Sequence, residues 1–200
     1  MFSAFLDTNS IYPLHLRDLL LDFAQSDFYK PLWSDYILEE LARTLHVAYP
    51  QHADAHAEMI RLMCEIFPDA LVTGFEPMVG SLGCKDPNDE HVLAGAIRSN
   101  SGALVTFNLR DFPDETFERF GIEIVTPDNF LLDLADLNER AACITVARRL
   151  DLYSKPSMKA LEFASRLSKS NCGQFGLWVA ERQNEIDSIL ETLQIARHGI

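Results

Sequence analysis

Carboxylates stand at several places where this sequence leaves an apolar run or enters a helix. Asp7 closes Ala4-Phe5-Leu6, Glu39 and Glu40 precede Leu41, Asp86, Asp89 and Glu90 fall in KDPNDEH at 85–91, and Asp111 falls in VTFNLRDF at 105–112. Several carboxylates cannot stay ionised in one small space unless a cation is present. Hard divalent ions such as Mg²⁺ and Mn²⁺ accept all-oxygen sites and retain waters. Such an ion can activate water and neutralise charge building on a phosphoryl group, so the chemistry this set suggests is phosphodiester hydrolysis. Each residue also has a plainer reading. Asp7 could cap the helix behind it. Asp86 and Asp89 precede or open a helix, where the dipole favours acids. Glu39 reads as a solvated helix residue or a capping-box partner, Glu90 as a solvated one, and His91 as a surface or core histidine. A phosphatase with an aspartyl nucleophile would want a second acid two residues after the first, and Asn9 stands there.

These residues can meet only if the elements between them bring them to one edge. Residues 2–6, 70–75, 103–107 and 122–125 read as strands, and 29–33 as a short extended piece. Apolar spacing near 3.6 predicts helices over 10–26, 35–46, 52–67, 87–99, 111–119 and 127–136. Pro13 falls in the first turn of its helix, where a missing N–H is tolerated. Ser34 or Asp35 is the expected N-cap of the next, with Glu39 as capping-box partner. Apolar strands alternating with amphipathic helices predict an α/β fold with a parallel sheet covered on both faces. Ligands in such folds bind beyond the carboxyl ends of the strands, where Asp7 lies. Helices are expected near 138–151, 156–169 and 174–196, so the chain divides into an α/β domain, 1–136, and a small helical C-terminal extension, 137–200.

The chain has 200 residues, 48% of them hydrophobic, and a formal net charge of -13. That charge argues against general affinity for nucleic acid or anionic membrane. It is uneven: residues 1–136 hold 8 Lys/Arg against 23 Asp/Glu, whereas residues 137–200 hold 9 against 7. No apolar stretch nears the roughly 20 residues a membrane helix needs, and no signal peptide is evident, so a cytoplasmic protein is expected. Cys64, Cys84, Cys143 and Cys172 lack paired spacing and read as reduced core thiols.

The segments FLDTN at 5–9, ILEEL at 37–41, KDPNDEHVLAGA at 85–96, LVTFNLRDFP at 104–113 and IVTPDNFL at 124–131 together resemble the PIN-domain ribonucleases, in particular the VapC-type toxins of bacterial toxin–antitoxin systems. The resemblance spans about residues 2–136. It implies a PIN-like three-layer α/β/α sandwich and a metal-dependent endoribonuclease acting on tRNA or another structured RNA. Carried over by position, it makes Asp7, Glu40, Asp89 and Asp111 the catalytic metal ligands for Mg²⁺ or Mn²⁺. Thr8, Asn9, Thr106 and Asn108 would orient those carboxylates or their waters. Many relatives have an aspartate where Asn108 stands, which leaves open a non-catalytic PIN-like module that binds RNA or protein. Arg110 and the tail cations Arg148, Arg149, Lys155, Lys159, Arg166 and Lys169 are candidate RNA contacts, with an ordinary solvated face as their rival reading. The resemblance further implies a cognate antitoxin and a homodimer.

Overall fold

Strand β1 (Ser3–Leu6) is the hub of a four-stranded parallel sheet. It pairs on one side with β2 (Lys30–Leu32) and on the other with β3 (Ala103–Val105), which pairs in turn with β4 (Glu123–Val125), giving the order β2-β1-β3-β4. The structure, a computed structural model, describes residues 2–113, 115–153 and 157–198. Ala4, Phe5 and Leu6 are wholly buried, and all of β3 is buried, as expected for inner strands covered on both faces.

The chain packs as two compact units, Met1–Tyr12 with Tyr29–Thr126, and Pro13–Phe28 with Pro127–Ile200. The first holds the sheet with α1 (Thr8–Ile11), α3 (Asp35–Ala48), α4 (Ala53–Ile66), α5 (Glu90–Arg98) and α6 (Thr116–Phe120). The second is helical: α2 (Leu14–Gln25), α7 (Pro127–Leu137), α8 (Glu139–Leu152), α9 (Ala160–Lys169), α10 (Gly173–Glu181) and α11 (Gln183–His198). Helices α2 and α7, read from sequence with residues 1–136, thus pack with the tail helices. Phe23 of α2 meets Phe175 of α10 edge-on at 6.0 Å, and Arg149 of α8 grips Asp22 of α2 with its Nη2 at 2.6 Å from Oδ1. Asp128 of α7 accepts the N–H groups of Gln174 and Phe175 at 3.0 and 2.7 Å, satisfying donors at the start of α10.

Several elements depart from expectation. Residues 70–75 form no strand; they touch the sheet only through a bridge from Leu71 to Trp33. Gly74 turns there with φ 77°, which ends the extended run, and it is the 29–33 piece that supplies a true strand. The helix expected over 10–26 is two, because Pro13 sits at ψ 123° and begins α2 rather than lying inside its first turn. Ser34 caps α3 by accepting the Ile37 N–H at 3.4 Å, so Glu39 lies beyond the capping-box position. The helix expected over 174–196 breaks at Arg182 with no glycine or proline to mark it. The helix expected over 111–119 contracts to α6, preceded by a 3₁₀ turn at Leu109–Asp111.

Gly95 of α5 explains how closely that helix approaches β1. A Cβ there would lie 2.5 Å from Phe5 Cζ, inside contact distance. Gly95→Ala is therefore expected to destabilise the protein by about 1 kcal/mol, overpacking outweighing alanine's helix preference. A lowered urea midpoint with an unchanged slope would show it.

Candidate active site

Parallel register places the first two site residues. Leu6 pairs with Val105 and Val105 with Val125, so Asp7 and Thr106 leave the sheet side by side. The Asp7 N–H still donates to Val105 O at 3.1 Å, and the Thr106 N–H to Val125 O at 3.0 Å. Asp7 begins α1 by its backbone, but its carboxylate makes no capping bond. One oxygen, Oδ2, instead accepts the Thr106 hydroxyl at 2.7 Å and Asn9 Nδ2 at 2.6 Å. Asn9 Oδ1 in turn accepts the Phe107 N–H, and Thr106 Oγ1 the Asn108 N–H, each at 3.0 Å. The ends of β1 and β3 are thereby tied through one carboxylate that is only 4% exposed.

Glu40 arrives from α3. The Thr8 hydroxyl donates to its Oε2 at 2.6 Å, while Glu39, one position earlier, faces solvent. Helix phase thus separates the two glutamates that sequence alone leaves adjacent. Asp89 comes from the turn before α5, and Asp111 from the 3₁₀ turn after β3. Their loops are joined where the Lys85 N–H donates to Asp111 O at 2.7 Å. Asp86 accepts the Asn88 N–H at 2.9 Å and simply starts its turn.

The electrostatics show that these carboxylates share a field. Burial pushes the Asp7 carboxyl up to about 6; the charges of Asp89 and Glu40 add to this, and the Thr106 hydroxyl opposes it. Asp89 is likewise raised to about 6, by burial first and then by Asp111, Asp86 and Glu40. Among the described residues no three acidic, imidazole or thiol side chains stand together so as to hold a metal ion. What the geometry shows is an acidic patch whose members resist simultaneous ionisation.

One of the two residues beside the cluster behaves unlike its sequence reading. Glu90 is not solvated: it is 6% exposed and accepts the N–H groups of Gly80, Leu82 and Gly83, the last at 3.0 Å. Burial alone would raise its carboxyl, but the surrounding backbone donors outweigh that and hold it below its ordinary value. The glycines at 80 and 83 were the available signal, since a loop with φ near 91° and 76° turns successive N–H groups inward. His91 stacks on Tyr36 with ring centroids 5.7 Å apart.

The cations lie less uniformly. Arg110 and Asn108 are exposed in the turn that carries Asp111. In the helical unit Arg148 and Lys169 are exposed, whereas Arg149 is committed to Asp22 and Asp18, Arg166 to Glu162, and Lys159 to Glu191. Lys155 lies outside the described residues.

A parallel sheet with an acidic patch at its carboxyl edge is the arrangement of a PIN domain, and the PIN-domain family model matches residues 3–110. The chain belongs to that family and has its α/β/α fold. Residues 127–176 match the model of the VapC50 C-terminal domain, so the helical extension has family counterparts too. The chain is also similar to "Putative ribonuclease VapC50" of Mycobacterium tuberculosis (strain ATCC 25618 / H37Rv), 34% identical over 93 residues, or 44% of this chain and 54% of that protein. The chain therefore aligns with about half the length of that relative. No solved structure matches it. No helix among the described residues is long and apolar enough to cross a membrane.

Two outcomes follow from the local physics. Because the Asp7 pKa is raised from 3.8 to about 6, the native state holds its proton more tightly than the unfolded chain does. This contribution to stability is full below the unfolded pKa and is lost as pH rises through about 6. Asp7→Asn is thus expected to raise the denaturation midpoint at neutral pH, with the advantage fading in acid; a pH series of urea melts measures it. Glu90→Ala removes the shared acceptor of this loop and is expected to lower the stability read from urea melts by about 1 kcal/mol, with faster hydrogen exchange at the amides of Gly80 and Gly83.

Proposed function

We propose that the chain is a metal-dependent endoribonuclease of the VapC toxin type, hydrolysing phosphodiester bonds in tRNA or another structured RNA. The observation that carries this reading is the approach of Asp7, held by Thr106 and Asn9, to Glu40 and Asp89 at the carboxyl edge of a PIN-family sheet: burial first raises the carboxyls of Asp7 and Asp89, and then the charges of Asp89 and Glu40 act on Asp7 and those of Asp111, Asp86 and Glu40 on Asp89. The family models over both parts of the chain and the VapC50 relative support it.

Asp7, Glu40, Asp89 and Asp111 would hold Mg²⁺ or Mn²⁺, for which an all-oxygen set is the fitting chemistry. Such an ion, when bound, supplies positive charge to the scissile phosphate and an acidified water. The chain's own contribution is orientation. Thr106 and Asn9 fix one oxygen of Asp7, and Thr8 fixes one oxygen of Glu40, so these two carboxylates keep their direction without a ligand. Asn108, exposed at the rim, and Asp111 share the fourth corner. Arg110, in the turn that carries Asp111, and Arg148 and Lys169 on the helical unit are exposed cations free to meet phosphate. A cognate antitoxin and a homodimer accompany this reading. A non-catalytic RNA- or protein-binding module is the competing one, favoured only by asparagine at position 108.

Purified protein incubated with an RNA panel is expected to cut in Mg²⁺ or Mn²⁺ and to stop in EDTA. Asp7→Ala and Asp89→Ala should each abolish cutting, and Thr106→Ala should reduce it about 10–100-fold by releasing Asp7. Metal-independent cutting, or cutting by Asp7→Ala, would sink the proposal. RNA binding with neither cutting nor Mn²⁺ binding would favour the module.

A further inference from the structure

The acidic patch has an aromatic flank that the proposed chemistry does not use. Tyr36 lies in the first turn of α3, one helical turn before Glu40, and the i, i+4 relation puts both on one side of the helix. Its ring stacks on His91, two residues beyond Asp89, with centroids 5.7 Å apart and planes 29° apart. Phe75, itself buried, meets Tyr36 edge-on at 5.6 Å and backs it from a second direction. Tyr36 is nevertheless 51% exposed. His91 Nδ1 is buried with no hydrogen-bond partner in the structure, so ring packing rather than a polar bond accounts for the imidazole's place. The result is a propped, half-open aromatic surface whose two rings come from α3, one turn before Glu40, and from α5, two residues after the Asp89 of the preceding turn.

Half-exposed side chains are common on this surface, and what sets Tyr36 apart is that two further rings hold its own at a fixed angle one turn from Glu40. Aromatic rings held at a fixed angle are what unpaired nucleobases stack on, and that attraction needs no positive charge. This matters here because the sequence through residue 136 carries 23 acidic residues against 8 basic ones and cannot attract RNA by field alone. Paired bases keep their faces against one another and leave none for such a ring.

We propose that Tyr36, propped by His91 and Phe75, is a stacking platform for an unpaired nucleobase next to the scissile phosphate. The identity of the polymer rests on the nuclease reading; the stacking itself is tested by binding, apart from cleavage.

The test is fluorescence anisotropy with a short fluorescein-labelled single-stranded RNA and the same strand annealed to its complement, in EDTA so that nothing is cut. Wild type is expected to bind the single strand more tightly than the duplex. Tyr36→Ala should weaken single-strand binding about tenfold or more, while Tyr36→Phe, which keeps the ring, stays near wild type. An abasic scan of the oligonucleotide should find one position where losing the base costs wild type affinity but costs Tyr36→Ala nothing further. Thermal melts verify that Tyr36→Ala is folded, as expected for a half-exposed residue. Equal binding by wild type and Tyr36→Ala, equal binding of duplex, or no binding of the single strand would overturn the platform. Platform binding without metal-dependent cutting in the separate cleavage assay would instead remove the nuclease reading and leave the platform standing.

Discussion

Everything at the carboxyl edge of the sheet depends on one buried carboxylate and the hydroxyl that holds it. Asp7 emerges where two inner strands end, and Thr106 emerges beside it because the parallel register allows nothing else. Removing a carboxylate from water is costly unless hydrogen bonds replace the lost hydration. Thr106 and Asn9 do so on one oxygen, and the same two side chains reach the backbone of residues 107 and 108. The charged group and the loop that carries Asp111 are therefore parts of one bonded system. Loosening either end would release the other.

Two neighbours in sequence show how environment separates identical chemistry. Asp89 and Glu90 are both carboxylates at the start of α5, yet their affinities for the proton move in opposite directions. Asp89 is pushed up by burial first and then by the charges of Asp111, Asp86 and Glu40. Glu90 faces the backbone N–H groups of a glycine-containing loop and is pulled down by their dipoles. One is thereby left under electrostatic stress, open to relief by a cation, and the other is a satisfied anchor. Its anchoring role fits the glycine pair it grips, since only a loop free to adopt positive φ can present several N–H groups to one side chain.

The legible features were those written in local residue order. Strands β1, β3 and β4 follow from short apolar runs, and Asp7 was singled out because an acid at the end of such a run has no packing role. What the sequence hid was set by packing or by tertiary hydrogen bonds. Glu90 looked solvated because its partners sit up to ten residues earlier in a loop of no regular period. Residues 70–75 have a strand's composition, but a single bridge to Trp33 is all the pairing they make. The break at Arg182 has no glycine or proline to announce it. Arg149 reads from sequence as a candidate RNA contact or part of a solvated face; its partners Asp18 and Asp22 lie more than 120 residues away in the chain.

The order of the chain through its two units sets an order of assembly. Helix α2 is made early, with Leu16, Leu19, Leu20 and Phe23 all destined for burial. Its companions in the helical unit, Arg149 and Phe175 among them, are synthesised only after the whole of residues 29–126 has passed. The last residue of the sheet-bearing unit, Thr126, is made before any of them, while the apolar face of α2 is already in the chain. Until those companions emerge, that face has only the earlier part of the chain to turn to, an exposure of the kind that makes partly made proteins prone to misassembly. The vulnerable interval in the life of this protein is thus vectorial, and it falls after the sheet strands are made and before the extension is.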